Sequence, residues 1–212
     1  MQRELTVSEL SPGEFTARLD QVISVYAAAM RPATDTLAGR RSIMAAHAAY
    51  PGFRALTVAE DDESGENRAP VGFGYGFRGT PGQWWHDTVA RALAATRGAQ
   101  AASAWLDNTF EVAELHVAPG YQGSGIGSGL LLRLTSGRPE RTAVLSTRDA
   151  ETRARRLYRG VGFTDLLTGF SFYPGGEPPY AVMGARLPLW SPPRDPGDAP
   201  DQPWPRSPRP SS

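Results

Sequence analysis

The chain has 212 residues, 40% of them hydrophobic, with 22 basic and 22 acidic side chains; it can bury one good-sized core, and its balanced charge projects no global field for nucleic acid or an anionic membrane. Every basic residue is Arg, and the absence of Lys rules out both a Schiff-base mechanism and a phosphate loop of the G-x-x-x-x-G-K-[ST] type. The absence of Cys rules out disulfides, a thiolate nucleophile and Cys-based metal sites, which fits a reducing compartment.

The stretch from Met1 to Thr6 lacks the apolar run of a signal peptide, and nowhere do about 18 consecutive apolar residues occur, so a soluble cytoplasmic protein is expected. Leu5 and Val7 alternate with polar neighbours in a short first strand. Ser11-Pro12-Gly13-Glu14 then supplies an N-cap Ser, a Pro at the first helical position and a Glu three residues after the cap. The helix it opens is expected to run to about Met30, with Phe15, Leu19, Val22, Ile23 and Tyr26 as its apolar stripe, before Pro32 stops it. A second helix is expected over Arg40 to Tyr50, with Ile43, Met44 and His47 on one side and Pro51-Gly52 as its end.

Arg54 to Glu60 and Val71 to Phe77 read as two strands of a hairpin joined by a polar turn. In the second, Val71, Phe73, Tyr75 and Phe77 alternate with Gly72, Gly74 and Gly76, so one face is aromatic and the other bare backbone. The expected reason is a helix packed closely on the glycine face; the alternative is a face cleared for a ligand. Thr80-Pro81-Gly82-Gln83 resembles another capping box and opens a helix with Trp85, Val89 and Leu93 on one stripe and Trp84 pointing elsewhere. Residues 79–108 read as an insertion that either covers the sheet or walls a pocket, with Arg97 to Ser103 expected to be mobile.

Phe110 to Val117 alternates as a strand and leads into Gly120-Tyr121-Gln122-Gly123-Ser124-Gly125-Ile126-Gly127-Ser128, after which Ile126, Leu130, Leu131 and Leu134 recur at helical spacing. Glycines free of Cβ atoms at a helix N-terminus let several N–H groups converge on one anion, where the helix dipole also favours negative charge. The dinucleotide register G-x-G-x-x-G fails here, because Ser128 and Leu130 stand where its last Gly would be needed. Arg141 to Thr147 gives a further strand. Asp149 to Gly160 follows as a helix, with Ala154, Leu157, Tyr158 and Val161 on its apolar side. Arg153, Arg155, Arg156 and Arg159 crowd the rest, a solvated face or a phosphate contact. Phe163 to Tyr173 and Tyr180 to Leu189 form a closing hairpin around Pro174-Gly175-Gly176. Residues 190–212 are too rich in Pro to form a core and are expected to be a disordered tail after a domain spanning residues 1–189.

Gln122-Gly123-Ser124-Gly125-Ile126-Gly127, followed about thirty residues on by Ala154-Arg155-Arg156-Leu157-Tyr158-Arg159-Gly160-Val161-Gly162-Phe163, resembles the GNAT superfamily of acyl-CoA-dependent N-acetyltransferases. The first segment is similar to that family's pyrophosphate loop, the second to its A-x-x-L-Y-x-x-x-G-F helix and strand. The resemblance implies an α/β (α+β) domain: a mixed, mostly antiparallel sheet of about six to seven strands, flanked by helices and splayed at the cofactor site. It implies that acetyl-CoA is held by Gln122, Gly123, Ser124, Gly125, Ile126, Gly127 and Ser128, and that its pantetheine arm lies along Leu115, His116 and Val117. Where the family commonly has an Asn at the start of the later helix, this chain has Glu151.

Acyl transfer to a primary amine needs a neutral nitrogen, hence a base. Glu111 and Glu114, three apart on a strand, project to opposite faces; the resemblance favours Glu111, while Glu114, sharing its face with His116, is the alternative. The resemblance assigns Tyr158 to protonating the leaving thiolate. With no Cys, direct attack in a ternary complex is expected rather than a covalent relay. Trp84, Trp85 and His86 are candidates to line the pocket of an amine acceptor, either a small molecule or a protein. The scattered His47, His86 and His116 offer no metal spacing, so no metal is expected. Nor is a nucleic-acid or membrane partner, and a monomer or homodimer is anticipated. A silent acyl-CoA-binding domain that keeps the cradle without the chemistry is the rival reading.

Overall fold

The computed structural model describes residues 4–60, 69–173 and 179–189. Most of the expected polar turn after Glu60, the Pro174-Gly175-Gly176 link and the tail from residue 190 lie outside the described residues. The elements run β1 (Leu5–Leu10), α1 (Pro12–Ala17), α2 (Leu19–Met30), α3 (Leu37–His47), β2 (Arg54–Glu60), β3 (Pro70–Gly79), α4 (Trp84–Arg97), α5 (Ala99–Leu106) and β4 (Thr109–Val117). They continue as α6 (Ile126–Thr135), β5 (Thr142–Arg148), α7 (Arg153–Gly160), β6 (Thr164–Phe170) and β7 (Tyr180–Arg186).

The strands hydrogen-bond in the order β1-β2-β3-β4-β5-β7-β6. Pairs β1–β2, β2–β3, β5–β7 and β6–β7 are antiparallel, and β4–β5 is parallel, as the helical crossover through α6 requires. This is the mixed, mostly antiparallel sheet that the resemblance implied. The β4–β5 ladder consists of Thr109–Thr142, Phe110–Ala143 and Glu111–Val144, and β4 continues for six residues beyond it.

The described residues group into two compact units. One takes the chain up to Gly76 and Glu114–Leu134; the other takes Phe77–Ala113 and the chain from Thr135. In the first, the capping box at Ser11 forms as its sequence demands, with Glu14 N–H to Ser11 Oγ at 3.3 Å and Ser11 N–H to Glu14 Oε2 at 2.8 Å. The single helix expected after it is broken, because Arg18 leaves the helical region at φ −101°, ψ 12°. Phe15 packs on Phe53 and Tyr75, each at 5.1 Å, while Leu19, Val22, Val25 and Tyr26 form the buried side of α2. Pro32 disfavours the right-handed region for the residue before it, and Arg31 duly closes α2 at φ 48°. The second helix starts three residues earlier than expected, after a 3-10 turn at Thr34–Thr36. Its Met44 is buried but Ile43 is exposed.

The glycine face of β3 is covered closely, by helix α6 at Gly72, as the first of its two readings had it, and by the neighbouring strand β4 at Gly74. A Cβ on Gly72 would stand 3.2 Å from Ile126 Cγ2 of α6, and one on Gly74 would stand 2.8 Å from Leu115 Cδ1. Ile126, Leu130, Leu131 and Leu134 are all fully buried, each such side chain contributing about 1.5–3 kcal/mol.

In the second unit, α4 and α5 lay Val89, Leu93, Ala102 and Leu106 onto Val144, Leu166, Leu167 and Val182. Of the stretch Arg97 to Ser103, expected to be mobile, Arg97 closes α4 and residues 99–103 belong to α5, whose Ala102 and Leu106 are buried. The capping box expected at Thr80 does not form. Gln83 Oε1 does accept Thr80 N–H at 2.9 Å, but Gln83 is itself the N-cap residue and α4 starts one residue later, at Trp84. Helix α7 is likewise shorter than expected, capped by Thr152, whose side chain accepts Arg155 N–H at 3.1 Å.

Candidate active site

In the first unit, β4 ends at Val117 and a 3-10 turn, Pro119–Tyr121, leads to the glycine stretch. Two side chains shape it: Gln122 donates to the Val117 carbonyl at 3.0 Å and Ser124 to the Tyr121 carbonyl at 2.6 Å. Gly123 and Gly125 both have φ 86°, a left-handed backbone that glycine adopts at no steric cost. Nothing lies within 4 Å of where a Gly123 Cβ would be. Gly129 N–H makes an early helical bond of α6, to the Gly125 carbonyl at 3.0 Å. The N–H groups of Ile126, Gly127 and Ser128 therefore belong to the helix's first turn, which offers them no carbonyl inside the helix. A loop with two left-handed glycines, open at Gly123, on a helix N-terminus fits a pyrophosphate. Ile126 can join it only through its main chain, since its side chain is buried.

Behind this loop, β4 carries a polar cluster. Glu114 Oε2 is 2.5 Å from His116 Nε2, and Glu114 Oε1 accepts from Arg40 Nη1 at 3.1 Å. The Arg40 guanidinium lies 5.3 Å from the centroid of the Tyr26 ring, and the Glu114 carboxylate helps to raise the Arg40 pKa against the opposing effect of burial. His116 meets Tyr26 edge-on at 5.1 Å and Phe73 at 5.4 Å. His47 Nδ1 is 3.0 Å from Tyr75 Oη, and burial pulls its pKa down to about 4. Sequence reasoning missed Arg40, Tyr75 and His47 as members of this cluster. The available signal was an Arg on a helix stripe otherwise facing the core: Arg40, Met44 and His47 are spaced four and three apart.

In the second unit, Glu111 is buried, its Oε2 has no hydrogen-bond partner, and burial pushes its carboxyl up to about 8. Tyr158 is buried on α7 against Phe163, ring centroids 5.9 Å apart. The Arg-rich face of this helix is only partly solvated. Arg155 is buried in ion pairs with Asp149 and, at 2.9 Å, with Asp165. Arg159 pairs with Glu151 at 2.7 Å and Asp165 at 3.1 Å, so Glu151 is engaged within its own helix region. Of the three candidate pocket residues, Trp84 is 53% exposed and stacked on Tyr173 at 5.5 Å. Trp85 donates to Ser146 Oγ at 3.2 Å, and His86 is buried beside the Leu106 carbonyl at 3.3 Å.

The acetyltransferase (GNAT) domain family matches residues 54–165, from the start of β2 to the start of β6. The chain belongs to the GNAT acetyltransferases. It is 35% identical over 202 residues to a GCN5-like protein acetyltransferase of Mycobacterium tuberculosis, covering 85% of this chain and 97% of that one. Among solved structures it is similar in fold to the ribosomal-protein-S18-alanine N-acetyltransferase of Escherichia coli, with TM-score 0.58, 18% identity, and 89% and 97% of the two chains covered. It is also similar to yncA of Salmonella typhimurium, solved with its cofactor acetyl-CoA, with TM-score 0.54, 18% identity, and coverage of 90% and 98%. As a GNAT chain it is an acyltransferase. Among its described residues, no helix is long and apolar enough to cross a membrane.

Proposed function

We propose that this GNAT chain transfers the acetyl group of acetyl-CoA directly to a primary amine on a protein. The observation that carries the reading is the glycine loop: two left-handed glycines, an unobstructed approach and first-turn N–H groups at the head of α6. Gln122, Gly123, Ser124, Gly125, Gly127 and Ser128 would hold the pyrophosphate, and the main chain of Leu115 to Val117 would pair with the pantetheine arm. Acetyl-CoA supplies the activated acyl group. Tyr158 would give a proton to the departing sulfur, a task suited to a phenol. The protein acceptor rests on the name and near-complete coverage of the mycobacterial relative.

The base is the remaining part. Glu111, favoured by the resemblance, has its carboxyl raised to about 8, so at neutral pH it is mostly protonated and offers a hydrogen bond rather than a vacancy for a proton. Glu114 has each oxygen engaged, one by Arg40 and one by His116.

A thiol-release assay with acetyl-CoA tests the reading, using a lysine-containing peptide, a peptide with an N-terminal alanine, and spermidine as acceptors. Turnover on either peptide supports it. Turnover on spermidine alone moves the acceptor to small polyamines, and coenzyme A binding without any turnover identifies a silent binding domain.

A further inference from the structure

We infer that His116 takes the proton from the acceptor amine, with Glu114 and Arg40 holding its imidazole in the competent tautomer; this rests on the reading of the chain as an amine acetyltransferase. Three contacts fix the ring: the Glu114 carboxylate at 2.5 Å from Nε2, the Tyr26 ring at 5.1 Å and the Phe73 ring at 5.4 Å. The tautomer follows from the partner. A guanidinium is always charged and only donates, so Arg40 Nη1 donates to Glu114 Oε1 and keeps the carboxylate an acceptor. Glu114 Oε2 is then the acceptor of the Nε2–H bond. In the neutral ring, the proton on Nε2 leaves Nδ1 with its lone pair.

That nitrogen has no hydrogen-bond partner among the described residues. The His116 side chain retains 12% of its exposure, so the ring is held without being sealed. The polar groups around it are those of the first unit's cluster: Glu114 on its own strand, Tyr26 from α2, Arg40 and His47 from α3, and Tyr75 from β3. His116 also lies between Leu115 and Val117, the residues proposed to carry the cofactor's arm. A base there stands next to the proposed path of the acyl group.

The step balances. The acceptor ammonium gives one proton to Nδ1, and the freed nitrogen lone pair forms the bond to the acetyl carbonyl carbon. The carbon–sulfur bond breaks with its electron pair on sulfur. The nitrogen loses its second proton to water after the bond to carbon forms, and the sulfur takes a proton from Tyr158. The phenolate regains one from water and the imidazolium proton leaves to water, so that one proton is released overall. Glu114 and Arg40 touch neither reactant; they are positioning residues.

The test combines a structural readout with a chemical one. The chain has three histidines, so ¹⁵N spectra of the free protein, assigned with single His variants, report each tautomer. Neutral His116 is expected with its proton on Nε2. His116→Ala is expected to lose about 10²–10⁴-fold in kcat, the span of acid–base catalysis, with acetyl-CoA affinity within about twofold of wild type. Added imidazoles are then expected to restore the rate in order of their basicity. His116→Gln, which fills the space of the ring, is expected to lose a similar factor and serves if the alanine variant does not fold. Glu114→Gln should slow the wild type yet cost little more in the His116→Gln background, because Glu114 acts through the ring. A proton on Nδ1, a loss under about tenfold, or rescue independent of imidazole basicity overturns the inference. A wild type that binds coenzyme A without turning over any amine overturns the enzymatic reading itself, and the inference with it; the tautomer alone cannot produce that result.

Discussion

The Gln122 side-chain amide donates to the carbonyl of Val117 at 3.0 Å, so the entrance of the glycine loop is pinned to the last residue of β4. Without this bond the loop must be ordered by the cofactor as it binds. A single intramolecular hydrogen bond contributes about 0.5–1.5 kcal/mol, so Gln122→Ala should weaken acetyl-CoA binding by roughly 2- to 12-fold while kcat at saturation changes little. Calorimetric titration with acetyl-CoA, set beside steady-state kinetics, checks both halves.

Gly125 permits a sharper version of the same test. At φ 86° a β-branched side chain is strained, and its methyl groups would intrude on the anion's approach. Gly125→Val is expected to abolish measurable coenzyme A binding with the far-UV spectrum retained. Wild-type affinity in a folded Gly125→Val protein would remove the loop from cofactor binding.

Glu111 links the buried strand to pH. Its carboxyl is raised to about 8 in the folded chain by burial, against about 4.3 when unfolded. Between those values the folded state holds a proton that the unfolded state has released, so its contribution to stability is full below about pH 4 and falls as pH rises to about 8. Glu111→Gln removes the titration. The variant should therefore gain in melting temperature relative to wild type as the buffer moves from pH 5 to pH 8.5; parallel melting curves across that range would contradict the buried, partnerless carboxyl.

Tyr158 is expected to act on the chemical step alone. Tyr158→Phe keeps the ring against Phe163 and removes only the hydroxyl, so kcat should fall about 10²–10⁴-fold with KM for acetyl-CoA nearly unchanged. An unaltered kcat takes the phenol out of the mechanism.

The close packing at Gly74 can be measured directly. A Cβ there stands 2.8 Å from Leu115 Cδ1, the far end of a flexible side chain, so Gly74→Ala should destabilise by about 1 kcal/mol, the low end of the cost of overpacking. Adding Leu115→Ala should recover part of that loss, and additive effects in denaturant unfolding would show that the two sites do not touch.

Much of this was legible in the sequence wherever one local rule governed. The Ser11–Glu14 box, the alternation of β3, the glycine loop and the Tyr158 helix each carry their own signal within a dozen residues, and each forms. The misreadings came where a tertiary or backbone detail outweighed the local pattern. Nothing in the stripe from Phe15 to Tyr26 announces the break at Arg18. The helix α5 was not foreseen, because Ala and Ser say little until a partner surface for Ala102 and Leu106 is supplied. Arg155 read as part of a solvated or phosphate-binding face, since only the folded chain brings Asp149 and Asp165 to it. The Glu114–His116 pair was visible as a spacing on one strand, but Arg40 is 74 residues away in sequence, and no periodicity connects them.

Arg155, enclosed by Asp149 and Asp165 with Arg159 and Glu151 alongside, has a chemical meaning beyond charge balance. An ammonium in that position would be a primary amine whenever it shed a proton, and an acyl thioester would erase its charge for good. A guanidinium stays protonated and non-nucleophilic under the same exposure. The ion pairs beneath α7 are thus made from the one basic side chain that the enzyme's own reagent leaves unmodified, and the helix carrying Tyr158 rests on a foundation that turnover does not corrode.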